Sequence, residues 1–212
     1  MTEERTSTLE RVDPFHLPIF LYHDAITDEQ CDVLRNYADS IDGEWGSCME
    51  GNNTAMHLSF NKHVMDNMPD MKFHFEALMQ DISSQLLRQN TEGFTIGTSW
   101  FTRTRQGEVS TMHNHKNYYM SGILYLQEDN NLVIQNPLFE MTHFVFGVQE
   151  QTPYTCYSTM ISAPKNSFLL MPAYMFHQVP MWNKDDTVRY SIAMNFHPKG
   201  TYGVDASSIT VK

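Results

Sequence analysis

The hydrophobic period of this chain changes at Gly93, from the helical repeat of about 3.6 residues to the strand repeat of about 2. Before Gly93, the run Ile26-Thr27-Asp28-Glu29-Gln30 is a capping box. Thr27 is the N-cap, Gln30 the third helical residue, and Ile26 the outer half of a hydrophobic staple. The helix it predicts carries Cys31, Leu34, Ala38 and Ile41 on one face and stops near Gly43. A second helix is predicted from Pro69, a residue tolerated in a first turn, with Met71, Phe75, Leu78, Met79, Ile82 and Leu86 on its apolar side. Residues 45–68 hold no sustained period and read as a long loop.

After Gly93 the chain reads as strands over 94–105, 109–115, 121–127, 132–136, 141–148, 154–161, 167–171, 177–182 and 187–197, separated by turn clusters such as 128–131 and 183–186. Such an order predicts a mainly β fold, an antiparallel jelly roll with N-terminal helices on one outer face. The length suits one core, so residues 1–212 are read as a single domain, with a helical part and loop over 1–93 and a β core over 94–212. In the last run Tyr190, Ile192, Met194 and Phe196 point one way, and Arg189, Ser191, Ala193, Asn195 and His197 the other. An Arg beside a Ser and an Ala fits the inside of an open-mouthed barrel better than a solvent face.

Charge narrows the partners. Fourteen Lys and Arg against twenty-five Asp and Glu give a net charge of -11, which removes the counterion-release drive behind most nucleic-acid affinity. The apolar stretch at 17–22 is too short for a membrane span or a secretory signal core. Three widely spaced cysteines, Cys31, Cys48 and Cys156, form no CxxC pair and no disulfide framework, as expected of a cytoplasmic protein. The fifteen Met read as core filling.

Chemistry concentrates in few residues. Of ten histidines, His16, His23, His57, His63, His74, His143 and His197 have no ligand-type neighbour at useful spacing and are read as structural. His113-Asn114-His115 differs, because positions i and i+2 of an extended segment share a face and can approach one metal ion. His177 follows 62 residues later, and Arg189-Tyr190-Ser191 lies 12 residues beyond it across the 183–186 turn. A hairpin of that length is expected to lay the Arg-bearing strand beside the His-bearing one. A guanidinium fork holds a carboxylate bidentately, and Ser191 on the same face can add a hydrogen bond.

In this order, helices followed by His113-x-His115, Ser121-Gly122-Ile123-Leu124-Tyr125-Leu126, Pro172 to His177, and Arg189-x-Ser191 with Asn195, the chain resembles the 2-oxoglutarate and Fe(II)-dependent oxygenases. Within them it is most similar to small bacterial and phage-type members with HxH in place of HxD. Pro18-Ile19-Phe20 and the helix from Thr27 also resemble the start of prolyl-hydroxylase-like members, while 45–68 and 139–153 fall outside the likeness. The resemblance implies a double-stranded β-helix (cupin-like) fold, Fe(II) as metal, and 2-oxoglutarate and O2 as cosubstrates. It further implies hydroxylation of a substrate C–H bond, with 2-oxoglutarate leaving as succinate and CO2.

By position His113 and His177 correspond to metal ligands, and Arg189 and Ser191 to the cosubstrate anchor. Tyr125, on the face of Ser121 and Ile123, can hydrogen-bond the cosubstrate or lie in the core. His115 stands where relatives carry a carboxylate. It can complete a three-His site, which is the favoured arrangement, leave the place to a distant carboxylate, or turn away. Asn136-Pro137 stands where similar HxH members carry Asp-Pro. The substrate is expected to be a small molecule or a peptide, with no nucleic-acid or membrane partner. Two other readings are a three-His cupin-like dioxygenase that does not use 2-oxoglutarate and a non-catalytic jelly-roll module.

Overall fold

The computed structural model describes residues 17–211 except 42, 53, 90, 139–149, 151, 153, 154, 186 and 204. The strand expected over 141–148, the first residue of the one expected at 154–161, and His16 and His143 lie outside the described residues.

Strand β1 (Phe20–Tyr22) leads into helix α1 (Asp28–Ser40). Both halves of the capping box form: Gln30 N donates to Thr27 Oγ1 at 3.3 Å, and Thr27 N donates to Gln30 Oε1 at 2.9 Å. Cys31, Leu34 and Ala38 are buried, and Gly43 beyond the helix takes the left-handed conformation at φ 82°. Helix α2 (Pro69–Asp81) begins on Pro69 as expected and buries Phe75 and Met79. It ends in a π-helical turn, Ile82–Leu86, closed by Leu87 N donating to Ile82 O at 3.0 Å. The wider turn rotates Leu86 off the apolar face, where the helical period places it, and leaves it 64% exposed.

The segment read as a loop over 45–68 is partly regular. It holds β2 (Trp45–Ser47), β3 (His57–Ser59) and a 3-10 turn at Val64–Asn67. Three-residue strands are too short to show a period, and these form because β3 pairs with β4 (Phe94–Thr104) and β2 pairs with β3.

The strands that follow are β5 (Met120–Tyr125), β6 (Asn130–Gln135), β7 (Ser158–Ala163), β8 (Phe168–Pro172), β9 (His177–Gln178) and β10 (Arg189–Pro198). A terminal pair, β11 (Gly200–Tyr202) and β12 (Ile209–Val211), closes the chain. Residues 109–115, expected as a strand, make only single bridges, Val109 to Ala55 and His113 to His177. That segment crosses the rim between sheets instead of running along one. The run expected over 177–182 is strand only at its first two residues.

Seven strands form one sheet in the order β1-β8-β5-β10-β4-β3-β2, and β7-β6-β9 form a second. Every pairing among these strands is antiparallel, as the jelly roll requires. The helices cover one face of the large sheet. Cys31, Leu34, Phe75 and Met79 pack there with Leu124, Phe168, Leu170, Tyr190, Ile192, Met194 and Phe196. Alternate residues of the same strands, Ile123, Tyr125, Leu169 and Met171, point the other way and pack with Leu132 and Ile134 of the small sheet.

One glycine sets the aim of β4. Opposite it, Asn195 pairs with Thr98 and Phe196 with Ile96, so Gly97 is an extra, bulged residue. Before the bulge Phe94 and Ile96 face the helices; after it Phe101 does, and Thr98, Trp100 and Thr102 turn to the other side. A Cβ on Gly97 would lie 2.8 Å from the His197 ring and 3.1 Å from that of Tyr118, so the close approach requires glycine.

Candidate functional site

The inner face of the large sheet is the floor of a cavity of about 460 Å³. Cross-strand register sets three rungs across β5, β10 and β4: Ser121, Asn195 and Thr98; then Ile123, Ala193 and Trp100; then Tyr125, Ser191 and Thr102, of which all but the buried Ser121 and Tyr125 line the cavity. The first and third rungs are polar and the middle one is apolar.

His113, His115 and His177 converge over this floor, with one ligand nitrogen from each within 4.8 Å of the others. His113 and His177 exchange backbone hydrogen bonds of 2.8 and 2.9 Å, and His115 N donates to Ala173 O at 2.9 Å, so the rim segment is tied to the chain around β9. Ring centroids are 4.4 Å apart for His113 and His177, 5.1 Å for His115 and His177, and 5.2 Å for His113 and His115.

The second ring nitrogen of each histidine is occupied. His113 Nδ1 meets Thr111 O at 2.8 Å, His177 Nδ1 meets Met175 O at 3.0 Å, and His115 Nδ1 meets Asn195 Oδ1 at 2.5 Å. These oxygens only accept, so each Nδ1 carries the proton and each Nε2 keeps its lone pair. Asn195 is itself held: its Oδ1 accepts from Ser121 Oγ at 2.7 Å and its Nδ2 donates to Thr98 Oγ1 at 3.0 Å. Burial, reinforced by the neighbouring imidazoles, pushes His177 down to about 3 and lowers His115 as well, so both are neutral at pH 7, the form that binds metal.

Arg189 stands at the opposite end, 2% exposed. Its Nη2 donates to Asn131 O of β6 at 3.2 Å, bridging the two sheets, and its guanidinium carbon lies 5.9 Å from the Tyr125 ring centroid. Among the described residues no carboxylate pairs with it. A buried cation without a counter-charge is costly, so the arrangement suits an anionic ligand. Ser191 Oγ shares a 2.5 Å hydrogen bond with Thr102 Oγ1. The Tyr125 hydroxyl is fully buried with no hydrogen-bond partner among the described residues, and burial pushes its pKa up to about 12, so it is a donor at any ordinary pH.

The structure therefore brings the three histidines to one point and sets Arg189 and Ser191 in the same cavity, with Tyr125 fully buried beside Arg189. It does so by another route than the expected hairpin. His177 on β9 pairs with β6 in the small sheet, while Arg189 on β10 pairs with β4 in the large one, so the two strands are not neighbours. Successive jelly-roll strands pass to opposite sheets, and the residues meet across the cavity. Sequence reasoning missed Trp100, Thr102 and Lys62, which also line it. Alternation beyond Gly97 marks the first two; Lys62 has no local signal. Of the histidines read as structural, His57 sits outside the cavity against Glu108 at 3.3 Å.

Residues 98–195 match the model of the family described as "Putative 2OG-Fe(II) oxygenase". Over that segment, just under half of the chain, it is similar to this family. No curated protein matches its sequence. Solved structures share its fold at low identity. A prolyl-4-hydroxylase from Pseudomonas putida is 15% identical with a TM-score of 0.59, covering 85% of this chain and 92% of that one. HygX from Streptomyces hygroscopicus, solved with nickel, 2-oxoglutarate and hygromycin B, is 10% identical with a TM-score of 0.59, covering 86% and 83%. A prolyl hydroxylase from Trichoplax adhaerens, in complex with a hypoxia inducible factor peptide fragment, is 10% identical with a TM-score of 0.56, covering 84% and 82%. The chain shares the fold of these structures, and the segment similar to the family runs from the first rung residue, Thr98, to Asn195.

Proposed function

We propose that His113, His115 and His177 hold Fe(II) in this oxygenase, and that Arg189, Ser191 and Tyr125 hold the far carboxylate of 2-oxoglutarate. The observation that carries the reading is the state of the three rings: each gives its Nδ1 proton to an oxygen and keeps an Nε2 lone pair for a common ion. His115 is the third ligand in place of a carboxylate because Asn195 fixes both its orientation and its tautomer.

When bound, iron with 2-oxoglutarate supplies the oxidation, in which O2 and 2-oxoglutarate yield succinate and CO2 while a substrate C–H becomes C–OH. The protein's part is binding and position. Arg189 offers its fork to the carboxylate, Ser191 and the protonated Tyr125 hydroxyl donate to it, and Ile123, Ala193 and Trp100 keep the middle of the floor apolar. The buried Arg189, with no carboxylate partner among the described residues, favours this reading over a three-His dioxygenase that needs no dicarboxylate.

The substrate is read as a small molecule or a peptide, and the whole chain as one domain. We take it to work in the cytoplasm, supported by its three free cysteines and by the lack of any described helix long and apolar enough to cross a membrane.

Anaerobic addition of Fe(II) and 2-oxoglutarate tests the reading. The protein should develop the visible charge-transfer band of the chelate, and Arg189→Ala should raise the 2-oxoglutarate concentration needed by about 30-fold or more, the loss that corresponds to about 2–5 kcal/mol for one partner of a buried charge pair. Iron binding without the band would overturn it.

A further inference from the structure

The chain carries twenty-five acidic residues, yet no Asp or Glu lines the cavity among the described residues. Two cations do. Arg189 lies at one end, and Lys62 enters beside β4, against the Trp100 ring that itself lies 5.5 Å from the His115 ring. Lys62 belongs to the segment between β3 and α2, outside the family resemblance. It is held in place twice: its carbonyl accepts from Ser99 N at 2.8 Å, and its Nζ donates to Ser59 O at 2.7 Å. Nζ lies 5.6 Å from the Trp100 centroid, and among the described residues no carboxylate pairs with it. One ammonium proton is spent on Ser59, which leaves two for a ligand.

We propose that Lys62 selects the substrate, and that the substrate is a small organic carboxylate whose anionic group meets this ammonium while its reacting carbon faces the histidines. The inference rests on the iron and 2-oxoglutarate reading, in which Arg189 is taken by the cosubstrate and Lys62 is left for a second anion. The chemistry favours a carboxylate over a phosphate. A single lysine with two available protons matches two carboxylate oxygens, whereas a phosphate dianion calls for a cluster of donors such as arginines or a backbone nest. The Trp100 ring restricts the ammonium, and partial burial, which lowers the pKa of Lys62, strengthens its pull on an anion relative to open water. An acid-free cavity in an acidic protein also discriminates: anions repelled by the general surface are accepted only where the wall is cationic.

The test uses the protein loaded with Fe(II) and 2-oxoglutarate, with O2 added in the presence of N-acetyl amino acids spanning the twenty side chains, or of their N-acetyl amino-acid amides. Succinate release is measured. One or more acids should stimulate it, each at least tenfold more effectively than its amide. Lys62→Gln should raise the half-stimulating concentration at least tenfold, while Lys62→Arg should keep it within threefold. Equal stimulation by acid and amide, stimulation by no acid, or an unchanged response in Lys62→Gln would overturn the proposal. The chelate band of the unsubstituted protein is recorded first: its loss counts against the iron and 2-oxoglutarate reading, and its presence with no preference for acids counts against Lys62 alone.

Discussion

The two faces of β10 differ sharply, although they are one residue apart in sequence. Tyr190, Ile192, Met194 and Phe196 lie in the apolar layer under the helices, and Arg189, Ser191, Ala193 and Asn195 line the cavity. One strand thus packs under the helices with its even residues and lines the cavity with its odd ones, and strand period alone separates the two faces. A substitution should therefore hurt either stability or ligand binding according to its parity.

The sharpest break in that comparison comes from His177, which faces the odd side of β10 across the cavity. His177→Ala should abolish stoichiometric Fe(II) binding in anaerobic equilibrium dialysis, whereas His57→Ala should leave it intact; equal effects would remove the assignment of ligands. On the even side, Ile192→Ala deletes fully buried methyl groups and should cost about 2–5 kcal/mol in chemical denaturation. The protein that remains folded should still bind one Fe(II) per chain.

Asn195→Ala keeps the parity but frees His115 to turn. Loss of such a supporting hydrogen bond should weaken iron binding about 10–100-fold, and Asn195→Asp, which still accepts from Nδ1, should recover most of it. The smallest effect is expected at the bulge that gives β4 the same division of labour. Gly97→Ala should lower stability by about 1–3 kcal/mol as the His197 and Tyr118 rings are forced aside, measured by the shift in denaturation midpoint.

Much of this division is legible in the order of amino acids alone. The capping box at Thr27, Pro69 in a first turn, the jelly-roll class and the parity of β10 all follow from local patterns, because each is decided within a few residues. The HxH spacing and Arg189-x-Ser191 are legible for the same reason. What escapes depends on contacts distant in sequence. The hairpin expected between His177 and Arg189 is absent because β9 and β10 belong to different sheets, and turn length says nothing about which sheet a strand joins. The strands at Trp45–Ser47 and His57–Ser59 exist only through pairing with β4 and with each other, so Lys62 gives no local sign of reaching the cavity. The bulge at Gly97 likewise becomes visible only opposite β10.

An anaerobic crystal structure with Fe(II) and 2-oxoglutarate bound tests the central claim most directly. The account predicts Nε2 of His113, His115 and His177 on one iron, with the guanidinium of Arg189 on the carboxylate farthest from it. An iron held by a protein carboxylate with His115 turned away, or a 2-oxoglutarate that leaves Arg189 untouched, would contradict it.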